Sequence, residues 1–278
     1  MNLFPDIKEY KHEYLSVDIT HKLYIEQSGN PNGIPVIFLH GGPGAGTNYF
    51  YRRFFDPKVY RIILFDQRGS GKSKPYASII NNTAEDLIDD IKKIITHLNI
   101  EKSIIYGGSW GSTLGLLFAE KYPKYLDKLI VADIGIKAYP MHHDEILKGL
   151  NSVNLQEISS RTQAQQSIQV HIDNLGVQQF LLKNLYWIEK GKLAWRMNLK
   201  EIEKNIGEIL VKINVHKNPT DTLFIRGEMS NYILEEDFQN ILESFPNGVI
   251  KTIPKVGHWL HAENPIEFYK IANEFISQ

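Results

Sequence analysis

The sequence predicts an α/β fold: a mostly parallel, eight-stranded sheet with helices on both faces and an inserted helical segment. Short apolar segments, typical of strands that are covered on both faces, alternate with helical patterns. Alternating strands and helices favour a parallel sheet between two helical layers. Between about residues 138 and 216 the apolar segments are absent and helical patterns dominate, which predicts the insertion.

The composition is that of an ordinary globular protein. Of the 278 residues, 42% are hydrophobic and 23% charged, and 31 basic against 32 acidic residues give a net charge of −1. This balance does not favour a nucleic-acid partner or an anionic membrane. The absence of cysteine excludes disulfides, thiolate chemistry and cysteine metal sites. No metal or organic cofactor is predicted, and the oligomeric state is left open.

The N-terminal residues lack the basic flank and apolar run that are typical of a secretory signal. In addition, no apolar stretch approaches the ~20 residues that are needed to span a bilayer. We therefore expect a cytoplasmic protein without a membrane partner.

The first predicted elements form one edge of the sheet and lead into its centre. Partial alternation of apolar and polar residues over 12–18 and 21–28 predicts an antiparallel hairpin. Residues 35–39 and 61–65 are largely apolar and predict two buried strands. A helix is predicted after Thr83, a capping residue that is followed by leucines and isoleucines at helical spacing.

The later elements complete the sheet on both sides of the insertion. Further strands are predicted near residues 104–105, 128–132, 222–225 and 249–253, and an amphipathic helix closes the chain. We therefore assign residues 1–137 and 217–278 to the core and residues 138–216 to a helical cap. Four aromatic residues of the insertion serve either packing or a pocket: Phe180, Tyr186, Trp187 and Trp195.

A G-x-S-x-G motif occupies residues 107–111, between a predicted strand and a predicted helix. Such a turn strains its central residue, while Gly107 and Gly111 allow strand and helix to pass closely. The hydroxyl of Ser109 would then lie at a helix N-terminus, where the helix dipole and free N–H groups favour negative charge. This arrangement is typical of the nucleophile turn of α/β-hydrolases. We predict Ser109 as the nucleophile.

A serine nucleophile needs a base, and histidine is suitable because its pKa lies near neutral pH. His258 follows a late apolar strand through a glycine and comes after Ser109 and the candidate acids in the chain. That order matches α/β-hydrolases. We predict His258 as the base and expect His261 to be a surface or supporting residue.

Two strand ends could supply the acid that orients His258. Asp133 follows the strand before the insertion, and Glu228 follows the strand after it. A buried, unpaired carboxylate would be costly, so Asp133 is expected to have a partner. A purely structural role for Asp133 at the entry to the insertion is the alternative. The residues by themselves leave the choice between Asp133 and Glu228 open.

A loop with three glycines and a proline occupies residues 40–44, directly after a predicted strand. In α/β-hydrolases this loop supplies one donor of the oxyanion hole, and the residue after the nucleophile supplies the other. We therefore predict the N–H groups of Gly42 and Trp110 as these donors. A plain glycine turn is the alternative interpretation. His40 is expected to be a buried, hydrogen-bonded anchor of the loop.

Residues 66–73 contain G-x-G-K-S, which superficially resembles a phosphate-binding loop. However, the spacing between the glycines is too short, and Pro75 follows where a helix should begin. We therefore reject nucleotide binding. Asp66 and Arg68 are expected to form an ion pair that holds this loop.

The whole chain resembles a cap-bearing α/β-hydrolase. Residues 40–44, 66–69 and 107–112 together resemble the proline iminopeptidase family. This resemblance implies catalytic work for the serine and for the two predicted oxyanion donors. The chain departs from the family in two ways: Ser230 stands where the family has its aspartate, and the insertion lacks the family's Trp-Glu pair for the substrate amino group.

From about residue 126 onward the chain resembles small short-chain acyl esterases. Several esterases of this type take their acid from the loop after the sixth strand, which implies Asp133 here. The matching stretches are residues 133–135, 143–146, 176–183, 226–233 and 257–263.

Three functions follow from these patterns. The first is a serine hydrolase of small carboxylic esters or thioesters. The second is an aminopeptidase of the proline iminopeptidase type acting on short peptides, which would need acidic residues in the insertion facing Ser109. The third is a non-catalytic binding protein on a hydrolase fold, because fold does not determine function.

Overall fold

The computed structural model describes residues 3–42, 44–140 and 144–278. Within these ranges the chain forms one large sheet and one small hairpin. The strands are β1 (Glu9–Ser16), β2 (Lys22–Gly29), β3 (Ile34–Leu39), β4 (Tyr60–Phe65), β5 (Ser103–Gly108), β6 (Leu126–Ala132), β7 (Leu185–Glu189), β8 (Lys192–Trp195), β9 (Asp221–Gly227) and β10 (Gly248–Ile253).

Helices cover both faces of the large sheet and fill the segment between β6 and β9. None of the helices in the described ranges is both long and apolar enough to cross a membrane. The helices are α1 (Ala84–His97), α2 (Trp110–Lys121), α3 (Asp144–Asn151), α4 (Arg161–Ile168), α5 (Leu175–Leu182), α6 (Leu199–Lys204), α7 (Ile206–Ile209), α8 (Phe238–Ser244), α9 (Leu260–Glu263) and α10 (Pro265–Ile276).

The large sheet has eight strands in the described residues, in the order β1-β2-β4-β3-β5-β6-β9-β10. Strand β2 pairs antiparallel with both β1 and β4, and all other neighbours are parallel. The predicted mostly parallel sheet and its antiparallel edge hairpin are therefore confirmed. The parallel strands place the carboxyl ends of β3, β5 and β6 side by side, where sites of such sheets form.

The central strands are apolar because both faces of the sheet are buried. Alternate residues of a strand point to opposite faces. Ile37 and Leu39 pack in one cluster with residues of α1 and α2. Val36 and Phe38 pack in another cluster with residues of α10. This alternation explains why β3 carries no polar side chain along its buried length.

Helix α1 begins at the predicted capping residue. The backbone N–H of Asp86 donates to Thr83 Oγ1 at 3.2 Å, and the Thr83 N–H donates to Asp86 Oδ2 at 3.0 Å. This reciprocal pair satisfies two backbone donors that the first helical turn leaves free. The predicted start of α1 is thus confirmed.

The insertion, predicted to be a helical cap, also contains two strands. Helices α3 to α6 share an apolar cluster of their own, but β7 and β8 form an antiparallel hairpin between α5 and α6. The two strands are joined by a tight turn in which Gly191 has a φ of +83°. Glycine adopts this conformation without steric cost, so Lys190-Gly191 is the turn signal that the helical patterns concealed. The boundaries at 138 and 216 stay a prediction.

The predicted ion pair between Asp66 and Arg68 is also wrong. The Arg68 guanidinium instead binds Asp90 of α1 through two hydrogen bonds of 2.5 and 2.7 Å, and Asp18 at 2.9 Å. Asp66 accepts hydrogen bonds from Thr47 and from the backbone N–H of Lys72. Partners from other elements compete with sequence neighbours, and sequence distance does not reveal them.

Candidate active site

Ser109 lies in the turn between β5 and α2 with a strained backbone, at φ 51° and ψ −119°. The turn is possible because glycines flank it. A Cβ on Gly111 would lie 2.0 Å from the Leu39 carbonyl oxygen, and one on Gly107 would lie 2.5 Å from the Ser112 nitrogen. Strand β3, the turn and α2 therefore approach each other more closely than any side chain would permit.

Ser112 fastens the turn to the neighbouring strand, a role that the sequence analysis missed. Its hydroxyl donates to the Gly107 carbonyl oxygen at 2.7 Å and accepts from the Ala132 N–H at 2.9 Å. Ser112 is fully buried, so these bonds are shielded from water. The sequence did contain a signal for this role. A second serine lies three residues after the motif serine, on the inner face of the following helix.

His258 lies between Ser109 and Asp133. Its Nε2 is 3.1 Å from Ser109 Oγ, and its Nδ1 is 2.8 Å from Asp133 Oδ2. The ring of Tyr232 stacks on the imidazole with 4.0 Å between ring centroids. The three predicted residues are thus brought into one hydrogen-bonded chain, although Ser109 and His258 are 149 positions apart in sequence.

Asp133 is fully buried and its carboxylate accepts three hydrogen bonds. Besides His258, the donors are the Gly227 N–H at 3.1 Å and the Ser230 hydroxyl. Ser230 therefore supports Asp133 from the position at which the resemblance to proline iminopeptidases expects the acid. The sequence analysis did not predict this supporting role. The available signal was a serine at 230, where the resemblance expects an acid, combined with an acid at 133.

The structure does not bring Glu228 to His258. Glu228 is exposed, and its Oε2 accepts a hydrogen bond from the Lys255 N–H at 2.8 Å. Although Glu228 follows β9 closely, the chain turns its side chain toward the loop after β10 rather than toward the imidazole. Glu228 is therefore occupied with loop structure, while Asp133 contacts the imidazole.

The glycine loop after β3 is anchored by His40, as predicted. The Gln67 N–H donates to His40 Nε2 at 3.0 Å, and the Gln67 amide donates to the His40 carbonyl oxygen at 2.8 Å. Burial lowers the pKa of His40, so its imidazole stays neutral and Nε2 is free to accept. The loop that carries Gly42 is thereby held against the sheet.

The two predicted oxyanion donors belong to the glycine loop after β3 and to the start of α2. Gly42 lines the same cavity as Ser109 and has a φ of +123°, a conformation that favours glycine. The N–H of Trp110 begins α2 directly after Ser109, and the first N–H groups of a helix have no partner within the helix. Pro43 of this loop lies outside the described residues.

Ser109 and His258 open into a cavity of about 280 Å³. Most of its walls are apolar, and helices α3, α5, α6 and α7 supply a large part of them. Among the lining residues in the described ranges, none is an aspartate, glutamate, lysine or arginine. The apolar residues that the insertion contributes are Ile146, Leu147, Leu150, Phe180, Leu181, Met197, Leu199, Ile202, Ile206 and Ile209.

His261 belongs to the cavity wall rather than to the surface. Its imidazole lies in edge contact with the ring of Tyr51, at 5.7 Å between centroids. Burial, with smaller contributions from His258 and Lys183, lowers the pKa of His261 to about 4. His261 is therefore neutral at neutral pH and adds no charge beside His258.

A second, larger cavity of about 820 Å³ shares the walls formed by Ala45, Tyr51 and Phe180. Its lining is more polar and includes the buried Glu26 and Arg52, whose side chains pair at 2.6 Å. Phe180, one of the four aromatic residues with two possible roles, thus lines both cavities.

The other three aromatic residues of the insertion lie away from both cavities. Tyr186 packs on the Tyr76 ring at 5.8 Å, Trp187 is largely exposed, and Trp195 packs against the apolar cluster of the insertion. These three side chains therefore serve packing or face solvent.

Comparisons with known proteins agree with this architecture. The family model described as the alpha/beta hydrolase fold matches residues 34–156. A solved structure described as a marine microorganism esterase superposes with a TM-score of 0.81 at 33% sequence identity. That superposition covers 91% of this chain and 98% of the esterase chain.

Curated relatives match a shorter part of the chain. A probable proline iminopeptidase of Leptolyngbya boryana is 53% identical over 132 residues, which are 48% of this chain and 41% of the relative. A proline iminopeptidase of Arabidopsis thaliana is 51% identical over 132 residues, or 48% of this chain and 35% of the relative. The matched segment thus spans less than half the length of these relatives. The predicted similarity of the N-terminal half to proline iminopeptidases is confirmed.

Proposed function

Because this chain belongs to the α/β-hydrolase family, we propose that it is a serine hydrolase of small carboxylic esters or thioesters. Ser109 is the nucleophile, His258 is the general base and acid, and Asp133 orients His258. The observation that carries this proposal is the hydrogen-bonded chain from Ser109 through His258 to Asp133 at the wall of an apolar cavity.

The acylation step follows from these distances. His258 Nε2, at 3.1 Å from Ser109 Oγ, takes the hydroxyl proton as the oxygen attacks the substrate carbonyl. Asp133 Oδ2 accepts a hydrogen bond from the Nδ1–H of His258 at 2.8 Å and stabilises the imidazolium that forms, without taking its proton. The proton then passes from His258 to the leaving alcohol or thiol. Water attacks the acyl-enzyme in the second half of the reaction, again with His258 as base.

The tetrahedral intermediate carries a negative oxygen that needs donors. The N–H groups of Gly42 and Trp110 supply them, with the positive end of the α2 dipole behind Trp110. Removing one such donor from a hydrolase typically reduces turnover by about 10²- to 10³-fold. Because both donors are backbone groups, side-chain substitution at Trp110 would leave its donor in place.

Ester hydrolysis is favoured over aminopeptidase activity by the lining of the cavity. A substrate with a free amino terminus carries a positive charge, and burying it requires a carboxylate or several oriented acceptors. None of the described residues that line the cavity beside Ser109 is acidic. An uncharged acyl group suits these walls better.

An aminopeptidase of the proline iminopeptidase type is the second candidate. The identity of about 50% with proteins of that name over the N-terminal half supports it. That half contains the serine turn and the glycine loop, which both candidate reactions would use. The insertion, where an amine-binding acid would be expected, lies largely outside the family match, which ends at residue 156.

One assay separates the two candidates. Purified protein is given short-chain p-nitrophenyl esters in parallel with proline p-nitroanilide. We expect ester turnover and little release from the prolyl amide. Strong hydrolysis of the amide with weak ester turnover would contradict the ester assignment and favour the aminopeptidase.

Ser109→Ala tests the nucleophile in the same assay. We expect turnover to fall by about 10⁴-fold or more, because the attacking oxygen is removed while the fold is kept. Ser103→Ala is the control, since Ser103 is a buried serine at the other end of β5 and its hydroxyl has no hydrogen-bond partner in the described ranges. Wild-type turnover by Ser109→Ala would remove Ser109 from the mechanism.

A further inference from the structure

Asn184 is a buried polar residue in the apolar cavity beside Ser109. It joins α5 to β7 and is 3% exposed. Its Oδ1 has no hydrogen-bond partner, and its Nδ2 donates to none of the described residues. Several buried side-chain atoms lack partners within the described ranges, but only this one belongs to a residue that lines the cavity.

The backbone around Asn184 does not need the amide side chain. The Asn184 N–H donates to the Leu181 carbonyl oxygen at 3.1 Å, and its own carbonyl oxygen accepts from the Arg196 N–H at 2.8 Å. Both bonds would form with any residue at this position. The side chain is thus held in place without contributing to the local fold.

Another buried amide of the insertion behaves in the opposite way. Gln178 donates from Nε2 to the Ile172 carbonyl oxygen at 2.7 Å, and its Oε1 accepts from Gln165 at 3.2 Å. Gln178 is 5% exposed, close to the value for Asn184. The insertion can therefore satisfy a buried amide, and the unpaired amide of Asn184 needs an explanation of its own.

A buried amide without a partner destabilises the folded protein, because it gives up its hydrogen bonds to water and gains none in return. Groups that carry such a cost are found where a ligand supplies the missing bonds. The other residues that the insertion contributes to the cavity, Leu181, Met197 and Leu199 among them, carry no hydrogen-bonding side chain. The missing partner therefore comes from the contents of the cavity.

We propose that Asn184 determines specificity for acyl groups that carry a neutral hydrogen-bonding substituent, a hydroxyl above all. An amide offers both donors and an acceptor, and a hydroxyl complements both. A charged substituent does not fit, because the lining residues in the described ranges contain no ionic partner for it. The inference rests on the proposed esterase activity and names the substrate class of that site.

The test compares p-nitrophenyl butanoate with p-nitrophenyl 3-hydroxybutanoate. Each rate is divided by the alkaline hydrolysis rate of the same ester, which removes the difference in intrinsic reactivity. For the wild-type enzyme we expect kcat/KM to favour the hydroxy ester by about 10- to 100-fold, the value of one well-made buried hydrogen bond to a substrate. An equal ratio for the two esters would overturn the inference.

Asn184→Leu should abolish this preference, so that the two esters have equal kcat/KM after division by their alkaline hydrolysis rates. Met197→Leu is the matched control, because Met197 lines the same cavity without a polar group and its change should affect both esters equally. Asn184→Ser, which replaces the amide by a shorter group that still donates and accepts, should retain part of the preference. A preference that survives in Asn184→Leu would overturn the assignment to Asn184.

The outcomes for the proposed function and for this inference are distinct. If wild-type protein hydrolyses neither ester, the esterase proposal fails and the inference fails with it. If it hydrolyses butanoate without preferring the hydroxy ester, only the inference fails, and a water molecule is then the natural partner of the amide.

Discussion

The ends of β5 and β6 and the inserted segment enclose the same cavity, but they are built under different constraints. At the strand ends the backbones touch, and a Cβ on Gly111 would lie 2.0 Å from a carbonyl oxygen. Asp133 there has three hydrogen-bond donors. In the insertion, the Cβ position of Gly207 meets nothing within 4 Å, and the amide of Asn184 has no partner in the described residues.

This difference in packing and hydrogen bonding suits the strand ends to hold reactive groups and the insertion to select substrates. A strand end that tolerates no added atom keeps its polar groups in a defined geometry, as a reaction centre requires. An apolar wall that contributes no group to the hydrogen-bonded chain can change without disturbing that geometry, so it is suited to select substrates.

The largest expected effect lies at the strand ends and compares two acids. Asp133→Asn should reduce kcat/KM for a short ester by about 10²- to 10⁴-fold, because an amide at this position no longer holds His258 in the productive tautomer. Glu228→Gln should leave kcat/KM near the wild-type value, since Glu228 binds only the Lys255 N–H. Thermal unfolding midpoints show whether each variant is folded, and the reverse ranking would move the acid to the loop after β9.

A pair of glycines tests the contrast in packing. Gly111→Ala should lower the free energy of unfolding by about 3 kcal/mol, because the new methyl group meets backbone atoms of β3 that cannot move aside. Gly207→Ala, in an exposed turn of α7, should raise stability by about 0.5–1 kcal/mol through helix propensity. Urea denaturation measures both values. Equal effects would show that the two regions are not packed differently.

The smallest expected effect is a pH dependence. Burial lowers the pKa of His261 to about 4, below the value near 6.5 of an unfolded chain. The contribution of the neutral His261 to the free energy of unfolding is therefore fully present above pH 6.5. It is lost as the pH falls toward 4. Between pH 7.5 and 5 the wild-type protein should lose about 1–2 kcal/mol from this residue.

His261→Gln should flatten that part of the pH profile of the unfolding free energy. His171→Gln, at an exposed position of the insertion, is the control and should leave the profile unchanged. An unchanged profile in His261→Gln would mean that the imidazole accepts a proton in the folded protein and does not pack as a neutral group.

Local sequence patterns were sufficient to predict much of the fold. The apolar run of β3, the cap at Thr83 and the glycines around Ser109 each depend on neighbours within a few residues, so their outcome was readable in advance. The hairpin β7–β8 was not foreseen, because helical patterns surround the apolar run at residues 185–188 and the turn at Gly191. The predicted ion pair between Asp66 and Arg68 was wrong because each residue binds partners on other elements.

The sequence by itself determined the strained turn at Ser109, the order of the chemistry-bearing residues along the chain and the α/β class, since these depend on local sterics and periodicity. Only the tertiary structure decided that Asp133 rather than Glu228 contacts His258, that Ser230 supports the carboxylate, and that Asn184 stands unpaired in the cavity wall. These outcomes depend on where side chains from strands and loops far apart in sequence converge. Such convergence is set by the packing of the whole sheet and its insertion, and no short stretch of the chain encodes it.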